Sequence, residues 1–142
     1  MTGEGRETEI LLASSAPGIS RHHWGTEFDL FSLNPRNFFP GQRFVDEFSW
    51  MQNNGITWGF FQPYTDAPER GGYMEERWHW SYFPIAAALT QFAKRHESSV
   101  EARLTAMWTA MESKWGQSRG PYFTYVRANW RAYMFGIADP KK

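Results

Sequence analysis

The rhythm of apolar and polar positions changes near residue 84. Upstream, apolar residues alternate or gather in short runs; downstream they recur at intervals of three and four. Residues 10–13, ILLA, form a run of strand length closed by the turn-forming SSAPG. After Gly25 the chain alternates: Thr26, Phe28 and Leu30 share one strand face, Glu27, Asp29 and Phe31 the other. Residues 32–41 form a loop with two prolines. Residues 42–55 predict a helix, with Phe44, Phe48 and Met51 on one face and Asn54-Gly55 as its stop. A strand is expected over 56–64, then a Pro- and Gly-rich loop to Gly72. Residues 77–83 alternate again, Trp78, Trp80 and Tyr82 against Arg77, His79 and Ser81.

Beyond this point the expected elements are helices. One opens with Pro84 in its first turn. A second begins where Ser98 and Glu101 have capping-box spacing and runs to about Gly116; a third spans 121–136 between Pro and Gly. Strands followed by helices, without βαβ alternation, predict an α+β fold: a small antiparallel sheet with flanking helices and a helical C-terminal portion. The 142 residues fit one domain, with a motif core at about 10–83 and a helical extension at about 84–138.

Composition narrows the chemistry. Aromatics at 18% supply a substantial core and argue against disorder. Lys+Arg and Asp+Glu balance at 15 each, without the basic excess of a nucleic-acid-binding surface. No apolar run is long enough to cross a bilayer, and the first nine residues lack the apolar stretch of a secretory signal. With no cysteine, any metal must be held by His, Asp or Glu. The sequence leaves the oligomeric state open.

Two of the four histidines are adjacent, in SRHHWGTEFDLF. Gly25 lets the chain fold back between His22 and Asp29. If Phe28 and Leu30 enter the core, Asp29 points into the site that His22 borders, where a buried carboxylate needs a cation or strong donors. In EERWHW, His79 faces away from Trp78 and Trp80. Glu76, three residues earlier, reaches the same side only from a loop or a bulge. Two His, one Asp and one Glu make up three N/O ligands plus a general base, the composition of a catalytic zinc site with an open position.

Ser20-x-His22-x-x-Gly25-x-x-x-Asp29, followed by Glu76-x-Trp78-His79, resembles the zinc D-alanyl-D-alanine carboxypeptidases of the VanY/M15 type, including the L,D-carboxypeptidases. GFFQPYT ahead of the second motif resembles the family's corresponding stretch. The resemblance covers roughly residues 10–82. It implies one Zn2+ ion on His22, Asp29 and His79, with Glu76 as catalytic base. It also implies the hedgehog/DD-peptidase fold, a peptidoglycan stem peptide as substrate, and the periplasm or cell envelope as workplace. A non-catalytic module binding cell-wall peptides is the alternative.

The chain departs from the family pattern at two places. Glu27 stands where the family has a small residue, and on the face of Asp29 it is expected to add negative charge beside the metal. ASSAPGIS lacks the arginine that the family carries upstream of its first motif. Candidates for the substrate contacts are Ser20, Arg21, Arg77 and Tyr73, with Arg70 also near in sequence. His23 is expected at the surface or behind a ligand, His96 at a helix end, and most tryptophans in the core.

Overall fold

The computed structural model describes residues 9–11, 14–116 and 120–140. Three short strands, β1 (Glu27–Asp29), β2 (Phe60–Phe61) and β3 (His79–Tyr82), form an antiparallel sheet in the order β1-β3-β2. Helix α1 (Val45–Asn54) lies between β1 and β2 in sequence. Helices α2 (Phe83–Arg95), α3 (Glu97–Trp115) and α4 (Gly120–Phe135) follow β3. The architecture is α+β with a helical C-terminal part, as the change of rhythm predicts.

Pairing of β1 with β3 sets Phe28 opposite Trp80, Glu27 opposite Ser81 and Asp29 opposite His79. One sheet face is therefore apolar. Phe28, Phe60 and Trp80 pack there with Phe38 and with Phe44, Phe48 and Met51 of the α1 segment. The other face carries Glu27, Asp29, His79 and Ser81. Beyond it lies a larger cluster that joins Leu11, Ala16, Ile19, Tyr64 and Tyr73 to Trp108, Phe123, Trp130 and Tyr133 of the C-terminal helices. Trp108 also donates its indole N–H to the Pro17 carbonyl at 2.8 Å.

Several elements differ from expectation. Residues 9–11 are helical, where a strand is expected over 10–13; Leu12 and Ala13 lie outside the described residues. β1 stops at Asp29 because Phe31 has a left-handed φ of 57°, held by stacking on Phe44. The strand expected over 56–64 shrinks to two residues. Gly55–Trp58 coil into a 3-10 turn, and Gly59, at φ 84°, is needed to leave it. Helix α3 starts at Glu97, so Ser98 lies inside it and caps nothing; Glu101 pairs with Arg131 instead. His96 ends α2 and packs on Phe92, and His23 is exposed. Trp80, Trp108 and Trp130 are fully buried, but Trp50, Trp58 and Trp115 are exposed. Among the described residues, no helix is long and apolar enough to cross a membrane.

Candidate metal centre

Local structure aims His22. Its backbone N–H donates to Ser20 Oγ at 3.3 Å, which starts a 3-10 turn over Arg21–Trp24. Gly25, at φ 70°, closes that turn on the His22 carbonyl and redirects the chain into β1. Asp29 and His79 meet as a cross-strand pair, close enough for direct side-chain contact. Glu76 comes from the loop before β3. Its N–H donates to the Tyr64 carbonyl at 2.9 Å, and its own carbonyl accepts from His79 N and from the Gln62 amide. The loop is held in turn against α4 at Gly72 (φ 74°), where a Cβ would overlap the Ala132 carbonyl.

These placements bring the four groups together. Asp29 Oδ1 lies 3.4 Å from His22 Nε2 and 3.2 Å from His79 Nδ1. The donor atoms of His22, Asp29 and His79 all fall within 4.8 Å of one another. Bonds of about 2.0–2.1 Å to a tetrahedral zinc ion set neighbouring donors about 3.4 Å apart. The two contacts of Asp29 match that spacing, and two imidazoles with one carboxylate are a donor set zinc accepts, so the residues present fit the ion. Glu76 Oε2 sits 3.5 Å from His79 Nδ1.

The electrostatics separate the two carboxylates. Burial works against charge on Asp29, but hydrogen bonds with His22 and His79 outweigh it and hold the carboxyl well below its usual range. Burial pushes Glu76 up to about 7; the charge of Asp29 adds to the rise, and His79 and His22 offset only part of it. His79 is raised: burial opposes its positive form, but Asp29, Glu27 and the charge of Glu76 favour it more strongly. A cation entering the site must displace that Nδ1 proton.

A cleft of about 630 Å³ opens over this cluster. Ser20 lines it, and so does Tyr73, whose hydroxyl pairs with Ser15 Oγ at 2.5 Å. Arg77 does not. It is bound to Glu75 and the Phe38 carbonyl and lies over the Phe39 and Phe48 rings. Arg70 spends its guanidinium on the carbonyls of Thr65, Gly71, Tyr73, Met74 and Gly136. Arg21 borders the cleft but turns inward, its side chain fully buried.

Glu27 departs furthest from expectation. It adds no uncompensated charge beside the metal donors, because Arg21 Nη2 lies 3.0 Å from its Oε1. Oε1 also accepts from Ser81 Oγ at 2.8 Å and Thr26 Oγ1 at 3.1 Å, and Oε2 lies 3.0 Å from His79 Nε2. Burial disfavours its charge, but His79, Arg21 and Ser81 together keep it ionised below the usual range. Sequence reasoning also passed over Tyr64, whose ring packs on His79 with centroids 4.7 Å apart and walls the cleft. The only available signal was its position in the QPY segment ahead of the second motif.

The family model described as VanY, D-alanyl-D-alanine carboxypeptidase, matches residues 2–85. An uncharacterized protein of Haemophilus influenzae is 30% identical over 83 residues, covering 51% of this chain and 63% of the relative. The match thus spans less than two thirds of that protein's length. No solved structure gives a significant match.

Proposed function

The chain belongs to the VanY family of D-alanyl-D-alanine carboxypeptidases, and from that membership we propose that it is a zinc-dependent carboxypeptidase. Its substrate is a peptidoglycan stem peptide, cut at the amide before a C-terminal D-amino acid, and its workplace is the periplasm or cell envelope. The observation that carries this reading is the contact of Asp29 Oδ1 with His22 Nε2 and His79 Nδ1, with the Glu76 carboxylate against the same Nδ1.

A zinc ion held by His22, Asp29 and His79 would supply Lewis-acid polarisation of the scissile carbonyl and acidify a water. Glu76 takes the proton of the attacking water and delivers it to the leaving nitrogen. Burial holds Glu76 near 7 in the metal-free site; a cation on the neighbouring donors favours its charged form, so in the loaded site it is the carboxylate that accepts the water's proton. Asp29, held ionised, stays a ligand and does not compete for the proton. The burial of Tyr64 and Tyr73 beside the cluster keeps bulk water from one wall of the cleft.

The test is incubation of the whole chain with zinc and a peptide ending in D-Ala-D-Ala, with released D-alanine as the readout. The expected result is release by the wild-type protein, and a fall of about 100- to 10,000-fold in Glu76→Gln while zinc stays bound. Unchanged release in Glu76→Gln removes that residue from its role. Tight peptide binding without product favours the non-catalytic module. Zinc binding with no stem peptide cut redirects the search to another amide.

A further inference from the structure

We infer that Glu27 is a positioning residue for the metal centre: its carboxylate accepts the Nε2–H of His79 and so commits Nδ1 to the cation, while Arg21, Ser81 and Thr90 hold Glu27 in place. The inference rests on the zinc reading of His22, Asp29 and His79 and extends it to residues outside the ligand set.

An imidazole can offer either nitrogen to a metal, and the hydrogen bond made by the other nitrogen decides which. In this site the two nitrogens face different surroundings. Nδ1 faces Asp29 and Glu76 at the cleft. Among the described residues, the polar partner of Nε2 is Glu27 Oε2, at 3.0 Å, with both side chains buried. A carboxylate in that position accepts a proton and cannot donate one, so it selects the tautomer whose free lone pair is on Nδ1.

The carboxylate is itself fixed. Arg21 Nη2 and Ser81 Oγ both reach Oε1. Arg21 Nη1 donates to Thr90 Oγ1 at 3.1 Å, and Thr90 in turn donates to the Ala86 carbonyl within α2. The guanidinium also lies 4.4 Å over the Trp24 ring. A chain of buried polar contacts thus runs from α2 through Arg21 and Glu27 to His79. The first helix after β3 therefore contributes to the metal centre without lining the cleft. Arg21 also sets a positive charge against that of Glu27, 3.0 Å away.

The experiment compares the whole wild-type chain with Glu27→Gln, by zinc titration against a chelating dye and by 15N NMR of histidine in the cadmium-113-loaded protein. In the wild type, His79 is expected to show cadmium coupling at Nδ1 and a slowly exchanging proton at Nε2. Glu27→Gln is expected to weaken zinc binding about 10- to 100-fold. Loss of one partner of a buried ion pair can unfold the protein, so Arg21→Met/Glu27→Gln, which removes both charges, serves as the second variant with the same expected loss. Cadmium coupling at Nε2 of His79, or unchanged zinc affinity in a folded variant, overturns the inference. Wild-type protein that binds zinc through Nδ1 but cuts no stem peptide overturns the peptidase reading and leaves this one standing. Wild-type protein that binds no zinc overturns both.

Discussion

The two faces of the three-stranded sheet are built from alternate residues of the same strands, yet they do opposite work. On one, Phe28, Phe60 and Trp80 meet Phe38 and Phe48 and exclude water. On the other, Glu27, Asp29, His79 and Ser81 form a polar layer in which two carboxylates and an imidazole touch. The apolar face is non-directional: its stability follows buried area, and one aromatic can partly stand in for another. The polar face is directional, because each buried polar atom left without its partner carries a desolvation cost. A single residue step, from His79 to Trp80, crosses from one regime to the other.

That contrast is sharpest in these two neighbours. His79→Ala is expected to abolish zinc binding, measured by metal analysis after dialysis; full occupancy contradicts the ligand set. Trp80→Ala is expected to cost about 3–5 kcal/mol, read as a lower urea midpoint, while any protein still folded binds zinc as before. An effect below about 1 kcal/mol would mean that the apolar face is not the core of this sheet.

Acid–base behaviour gives a smaller effect. In the metal-free protein Glu76 has a folded pKa of about 7, above its ordinary 4.5. Between these values the folded state holds a proton that the unfolded state has lost, so stability falls as pH rises through this window. Glu76→Gln removes the effect. Relative to that variant, wild-type metal-free protein is expected to lose on the order of 2–3 kcal/mol between pH 4.5 and 8, followed as the difference in thermal midpoint. Parallel midpoints for the two proteins would show that Glu76 is not desolvated. Asp29 has the opposite sign: its depressed pKa contributes stability above the ordinary carboxylate range that is lost on acidification. The smallest expected effect is that of Ser81→Ala, which removes one of the donors to Glu27 and costs about 1–2 kcal/mol. A neutral result would show that the remaining donors satisfy Glu27.

The divided sheet is legible in the sequence alone. Side chains of a strand alternate by covalent geometry, so EFD and HWSY separate their acids and imidazole from Phe28 and Trp80 whatever surrounds them; Arg77 and Trp78, expected in the same strand, form a turn instead, with Trp78 lining the cleft and Arg77 over the Phe48 ring. The placement of Glu76 in a loop followed from the same arithmetic: three residues before His79 is the wrong parity for a strand. The helices after Pro84 were legible too, since their three- and four-residue spacing is equally local.

Other features depended on contacts between distant residues. Gly59 and Phe31, both in left-handed conformations, cut two strands short where the pattern alone would have continued them. Glu101 is drawn to Arg131, thirty residues on, and the capping box it could have formed with Ser98 is absent. Arg70 and Arg77, near the site in sequence, are held by backbone carbonyls and by Glu75.

By itself, then, the sequence determined which side chains share a strand face and which chemical groups were available, because both follow from backbone periodicity and residue identity. Only the tertiary structure decided what Glu27 does. Its charge reads as a liability beside Asp29 until Arg21 from a 3-10 turn, Ser81 from β3 and, through Arg21, Thr90 from α2 converge around it. The sign of a buried charge's contribution depends on partners brought from across the chain, and no local pattern records them.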